Sequence, residues 1–348
     1  MTSPAWRGFA SDNYAGVHPQ ILDAIARANS GHEVAYGDDE ITAALALVVK
    51  DLFGARAEVF PVFNGTGANV VSLQAMTKRW EAVVCAASAH VNVDEGGAPE
   101  HGAGLKLWTI PTDDGKLTPA LIDTQAWGFG DVHRAQPGVV TITQSTELGT
   151  LYTRDEIAAI AEHAHSHGMG VHVDGARLSN AAAALGTSFQ DFTTDVGVDV
   201  VSFGGTKNGI MLGEAVIVLN PDAAPGVDFL RKTSMQLASK MRFISAQLLA
   251  LLSDDLWLRN ARHSNAMAQL LATHVQDIPQ VRITRPTQAN AVFAVLPSDA
   301  TERLQKQFRF YTWDQATSEV RWMCSWDTTE ADVEAFAAAI AAEVSAVG

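Results

Sequence analysis

The stretch VDVVSFGGTKNGIMLGEAVIVLN, residues 198–220, sets one lysine between two apolar runs. Lys207 lies in a Gly-Gly-Thr-Lys-Asn-Gly loop with a strand-like segment on either side. A charged lysine is costly to bury, so it is either a loop residue reaching water or an amine kept for attack on a carbonyl. A second stretch, FNGTGANVV, puts Gly65, Thr66 and Gly67 between a strand and a helix. Backbone N–H groups and the dipole at such a helix start favour a phosphate, and Thr66 adds a hydroxyl donor. The stretch is not a dinucleotide fingerprint, which would need glycine at Val70, and no Gly-Lys-Ser/Thr follows to make it a P-loop. A third stretch, GVHVDGARLSN, ends a strand in Asp174 and places Arg177 three residues later. An acid at the carboxyl end of a parallel strand stands where open α/β sheets take ligands, unless it caps the next helix.

The elements around these stretches follow from periodicity and punctuation. From Ala35 to about Asn220 helix and strand patterns alternate, which predicts a mostly parallel sheet covered by helices. DEITAALALVVKDLFG (residues 39–54) reads as a helix with Asp39 at its start and Gly54 at its stop. TRDEIAAIAEHAHSHG reads as another, from near Thr153 to Gly168. EAVVCAAS, LKLWTI, GVVTITQ, GVHVD and VDVVSF read as short strands buried on both faces. Beyond Pro221 the chain is helical, and then VRITRP, NAVFAVLP, FRFYTW and VRWMCSW read as strands before a closing helix, TEADVEAFAAAIAAEVSAV. This predicts a large domain over residues 1–250 and a smaller α+β domain over 251–348.

Taken in order, a phosphate cradle at a helix start, an acid at a strand end and a lysine after a later strand are the parts that pyridoxal phosphate chemistry needs. The phosphate takes the helix start, a carboxylate keeps the pyridine nitrogen protonated, and the lysine amine takes the aldehyde.

The chain resembles the pyridoxal phosphate enzymes of the aspartate aminotransferase fold type (fold type I), and among them the low-specificity L-threonine aldolases. The motifs that carry the resemblance are FASDNYAG, AYGDD, FNGTGAN, AHVNVDEGGAPE, VVTITQSTELGTLY, VHVDGAR, FGGTKNG, QLASKMRF and RWMCSWDT, and they run almost the whole chain. The resemblance implies a carbon–carbon lyase that cleaves L-threonine, L-allo-threonine and related L-β-hydroxy-α-amino acids, L-phenylserine among them, to glycine and an aldehyde. A β-eliminating lyase or an aminotransferase on the same scaffold is the alternative, because the same lysine and aspartate serve all three. It also implies roles. Lys207 takes the aldehyde, Asp174 holds the pyridinium N–H, and Arg177 lies near the ring hydroxyl and the substrate carboxylate. Gly65, Thr66 and Gly67 hold the phosphate, with Arg242 reaching a phosphate from a neighbouring subunit. His90 stacks on the ring with Glu95 nearby. Ser11 and Arg321 bind the substrate carboxylate, while His133 and Tyr36 lie near the β-hydroxyl end. A base must take the β-hydroxyl proton, for which histidine has a suitable pKa; His90 and His133 are both candidates, directly or through a water. Fold-type relatives build each site from two subunits, so a homodimer at least, and a homotetramer as the usual state, is expected. One departure is RKTSM before QLASKMRF, where smaller residues are expected around Met235.

Composition narrows the classes. With 39 acidic and 24 basic residues the net charge is −15, which repels nucleic acid backbones and anionic membranes. No apolar run approaches the ~20 residues of a membrane helix, and MTSPAWRGFASDNYAGVHPQ holds no apolar leader core. Cys85 and Cys324 form no metal or redox spacing and read as reduced thiols of a cytoplasmic protein. His163, His165 and His167 sit at a helix C-terminus, where histidines favour the dipole; with no HExxH glutamate, no metal is expected there or elsewhere.

Overall fold

The strand-like runs assemble into two sheets in the computed structural model, which describes residues 7–346. Residues 1–6 of the stretch read for a leader, and Val347 of the closing helix, lie outside the described residues. The larger sheet holds β1 (Glu58–Val62), β2 (Glu81–Ala86), β3 (Lys106–Ile110), β4 (Gln136–Thr143), β5 (Gly170–Gly175), β6 (Val200–Gly204) and β7 (Glu214–Val218). Their spatial order is β1-β7-β6-β5-β4-β2-β3. β7 runs antiparallel to both neighbours, so the other six strands point one way. β4 to β7 are buried almost end to end because helices cover both faces. Pro61, which cannot donate to a ladder, sits in the edge strand β1.

Local signals set the helix ends. Asp39 accepts the Thr42 N–H at the start of helix Glu40–Phe53, and Gly54, at φ +106°, ends it. Thr153 and Glu156 form a capping box on helix Arg154–Ser166. Among the described residues no helix is long and apolar enough to cross a membrane.

The smaller sheet is antiparallel: β8 (Arg282–Ile283), β9 (Ala291–Val295), β10 (Tyr311–Asp314) and β11 (Glu319–Met323), in the order β10-β11-β9-β8. The strand expected from FRFYTW starts only at Tyr311, because the Arg309 carbonyl accepts the N–H of Phe9. Phe9 stacks on Phe336, centroids 4.3 Å apart, inside the core under this second sheet. Phe9 is thus packed into the core under the smaller sheet before the chain reaches Ser11 and Asp12.

One close approach locks the frame. Gly204 ends β6, and a Cβ there would fall far inside van der Waals contact with the backbone carbonyl of Ala176. Backbone cannot swing aside as a side-chain tip can. Gly204→Ala is expected to lower stability by about 3 kcal/mol, the upper end for overpacking, read as a shifted urea midpoint at unchanged slope. An unshifted midpoint would mean that the loops after β5 and β6 part freely.

Candidate active site

The carboxyl ends of the parallel strands converge on one edge of the sheet, where open α/β folds bind ligands. β1 leads to the glycine loop, β2 to His90, β4 to Glu147, β5 to Asp174 and β6 to Lys207. Asp174 is buried, and one of its oxygens accepts the Ala176 N–H. It does not cap the following helix, whose N-cap is Arg177. Its other oxygen accepts from Asn69 Nδ2 at 2.8 Å, and the same amide donates to Glu95 Oε1 at 2.8 Å. His90 Nδ1 lies 2.9 Å from that Glu95 oxygen. One donor atom each of His90, Glu95 and Asp174 falls within 4.8 Å of the others. The hydrogen bond to Glu95 raises the pKa of His90 and outweighs burial; Nδ1 carries the proton toward the carboxylate, and Nε2 is the basic nitrogen. Beneath this layer, buried His172 is held between Thr141 and Ser202, and desolvation pushes its pKa down to about 4, so it stays neutral.

Glu147 was missed on sequence. It accepts the His90 backbone N–H at 2.8 Å and the Thr143 hydroxyl at 2.9 Å. Burial, and then the charge of Asp174, push its pKa up to about 7. An acid raised in this way keeps its proton longer than the unfolded chain does. Its contribution to stability therefore falls as pH rises from the ordinary carboxyl range to about 7, and the deficit persists above that. Glu147→Gln is expected to stabilise cofactor-free protein near pH 8 by up to ~3 kcal/mol and to change little near pH 5. Melting temperatures at the two pH values test this; an equal gain at both would refute the titration.

Around Lys207, Glu214 accepts the N–H groups of Gly205 at 2.8 Å and Thr206 at 3.4 Å. The lysine charge is felt at Glu214, Asp12 and His90. Among the described residues its Nζ makes no hydrogen bond. At the start of helix Gly65–Met76, Asn64 accepts the Gly67 N–H at 2.7 Å, leaving those of Gly65 and Thr66 without a partner among the described residues. A cavity of about 410 Å³ opens there, lined in part by Asn64, Thr66, Gly67 and Gln236. Gln236 accepts the Phe63 N–H at 3.0 Å, and its amide fills the space that a Cβ on Gly67 would take. Nothing in the sequence pattern pointed to Gln236.

Two arginines meet near the N-terminal segment. Arg177 donates from Nε and Nη2 to Asp12 at 2.7 and 2.9 Å, with the aspartate side chain fully buried. Burial opposes the charge on Asp12, but Arg177 prevails and holds its pKa below the usual range. Ser11, next in the chain, accepts the Asn13 N–H. Arg321 lies over the Trp313 ring at 4.2 Å, and its buried Nε has no partner among the described residues. Burial, then repulsion from Arg177, bring its pKa down to about 10.

Three predicted residues are not joined to this group within the chain. His133 is exposed on the loop that enters β4, whereas the cluster stands at the strand's exit, about 23 Å away at the rise of a β-strand. Strand direction thus separates His133 from the His90 cluster of its own chain. Tyr36 is about half exposed, at φ +64°, with the Lys232 ammonium 4.9 Å from its ring. Arg242 is turned onto the carbonyls of Ser30 and Gly31.

A lysine after β6 whose Nζ makes no hydrogen bond among the described residues, a buried carboxylate near the end of β5 and a glycine helix start after β1 fit pyridoxal phosphate, and fold and site together define a pyridoxal phosphate enzyme of fold type I. The family model described as Beta-eliminating lyase matches residues 8–297. The chain is 47% identical to the low specificity L-threonine aldolase of Pseudomonas sp. (strain NCIMB 10558), over 97% of this chain and 98% of that one. It is 48% identical to the enzyme of that name from Pseudomonas aeruginosa, over 92% and 93% of the two chains. The solved structure of Leishmania major threonine aldolase superimposes with a TM-score of 0.91 at 31% identity, covering 97% of this chain and 99% of that one. The protein belongs to the beta-eliminating lyase family and, within it, to the low-specificity L-threonine aldolases.

Proposed function

We propose that this chain cleaves L-threonine, L-allo-threonine and related L-β-hydroxy-α-amino acids, L-phenylserine among them, to glycine and an aldehyde by retro-aldol chemistry. The observation that carries this reading is 47% identity to a low specificity L-threonine aldolase along 97% of the chain. When bound, pyridoxal phosphate supplies an electron sink for the charge left at Cα as the Cα–Cβ bond breaks.

The side chains divide the remaining work. The N–H groups of Gly65 and Thr66 and the Thr66 hydroxyl would hold the phosphate, while Gly67, whose N–H is taken by Asn64, would let the group approach the turn closely. Asp174, oriented by Asn69, would hold the protonated ring nitrogen of the cofactor. Lys207 supplies the amine. Arg321, with its unpaired Nε, binds the substrate carboxylate alongside Arg177 and Ser11. His90 would cover the cofactor, and its Nε2 would take the β-hydroxyl proton, directly or through one water, because Nδ1 is engaged with Glu95.

His133, Tyr36 and Arg242 serve the site of a neighbouring copy in a homo-oligomer, a dimer at least. The exposure of Val132 (92%), Phe229 (80%) and Met235 (82%), apolar side chains on the segments that carry or precede these residues, supports such a contact. Sedimentation of the cofactor-loaded protein is expected to give a dimer or tetramer; an active monomer would end this part of the proposal.

The deciding assay adds L-threonine, L-allo-threonine and L-phenylserine separately to cofactor-saturated protein and follows aldehyde and glycine. Equal amounts of the two establish the aldolase. Ammonia and a keto acid instead would mark the β-eliminating chemistry that the family description names, and amino transfer to a keto acid would mark an aminotransferase.

A further inference from the structure

The histidines at the end of helix Arg154–Ser166 acquire a partner that sequence spacing did not show. Asp123, forty positions earlier, ends helix Pro119–Asp123 and places Oδ1 2.8 Å from His163 Nε2. His167, one turn beyond His163, brings its ring to 4.7 Å from the other imidazole. One donor atom from each of Asp123, His163 and His167 lies within 4.8 Å of the other two. We propose that these three residues form a binding site for a divalent transition metal ion, zinc being the best match.

The donor set and its support both fit. Two imidazoles and a carboxylate suit zinc, cobalt(II), nickel or copper(II) rather than magnesium or calcium, which take oxygen ligands. Metal-bound histidines characteristically donate their second ring N–H to a carbonyl or carboxylate. His167 already does so: its Nδ1 lies 3.0 Å from the His163 carbonyl, which fixes the tautomer and leaves Nε2 with a lone pair. Phe129 stacks on the same ring at 5.5 Å and 21°, so the rotamer is held as well. Asp123 and His167 are exposed, which leaves coordination positions for water. The negative end of a thirteen-residue helix and a net charge of −15 both favour a cation there.

Zinc bonds of 2.0–2.1 Å set tetrahedral donors about 3.3 Å apart, so Asp123 and His163 need separate only slightly. On binding, the ion replaces the proton between them; that proton moves to His163 Nδ1, or leaves if the ring was charged. The loop that carries His133 starts immediately after Asp123, and Phe129 belongs to it. The ion would therefore pin the base of that loop at the end of the sheet opposite Lys207.

The test uses full-length, cofactor-loaded protein stripped of metal by a chelator and desalted. Zinc chloride is titrated calorimetrically, and cobalt(II) is followed by its visible absorbance. The expected result is one ion per chain, with affinity at least tenfold lower in His167→Ala and in Asp123→Asn and unchanged in His165→Gln, whose imidazole is paired with Asp199 instead. Zinc should also raise the melting temperature of the wild type and not of His167→Ala. The absence of a bound ion in the wild type, or binding that survives both substitutions, overturns the site. Neither outcome depends on aldolase activity, so failure here leaves the proposed reaction untouched.

Discussion

Lys207→Ala will lower aldehyde release by at least about 10⁴-fold, a loss of ~5.5 kcal/mol at the transition state. It will also remove the visible band that the cofactor shows when joined to a lysine. The amine has no structural role to lose, since among the described residues its Nζ makes no hydrogen bond, and Glu214 secures the loop through backbone N–H groups rather than through the lysine. The variant should therefore fold. Lys207→Arg separates charge from nucleophile, because it keeps a positive charge at this position but offers no amine that deprotonates readily. Both variants should be equally inactive. A Lys207→Ala protein that still retains the cofactor covalently would assign the amine to another residue.

Asp12→Ala should be the most damaging single change to stability near the site, at about 3–5 kcal/mol, because it leaves the Arg177 charge buried and unpaired. The pair is bidentate, with the aspartate side chain fully buried and the arginine only 14% exposed. Asn290 loses a partner as well, since its amide donates to Asp12 Oδ2 at 3.1 Å. Asp12→Asn, which keeps the shape and one acceptor, should cost less. Because the folded-state pKa of Asp12 is depressed, its contribution is fully present above the ordinary carboxyl range and is lost only as pH falls through the lower folded value. Urea midpoints at neutral pH read the effect, and the KM for L-threonine should rise in parallel as Ser11 and Arg177 lose their common anchor. A wild-type midpoint in Asp12→Ala would show that Arg177 escapes to water when unpaired.

Much of the frame was legible in the residues themselves. Lys207 and the Gly65–Gly67 turn follow closely on strands and Asp174 stands at the end of one, so once the strands are read and their directions agree, the three must emerge at one end of the sheet. The ends of helices Glu40–Phe53 and Arg154–Ser166 were equally plain, because Asp39, Gly54, Thr153 and Glu156 act on backbone groups within four residues. Such signals are local, and local hydrogen bonds are written in adjacent sequence.

The finer construction of the site was not legible in this way. Asp12 finds Arg177 across 165 positions, Asn69 joins Glu95 to Asp174, Glu147 holds the backbone of His90, and Gln236 closes over the glycine turn from 173 positions beyond Phe63. Each is a polar residue on an otherwise apolar or loop segment, with no periodicity to mark it. His133 shows the same limit from the other side: its residue type suits the chemistry, yet entering β4 rather than leaving it carries the ring to the far end of the sheet. At that far end Asp123 meets His163 and His167. The sequence alone determined which strand ends carry the lysine, the acid and the phosphate turn, because those follow from backbone pattern. Tertiary structure decided which buried polar groups satisfy one another, because a side chain removed from water must take whatever partner packing brings within hydrogen-bond reach.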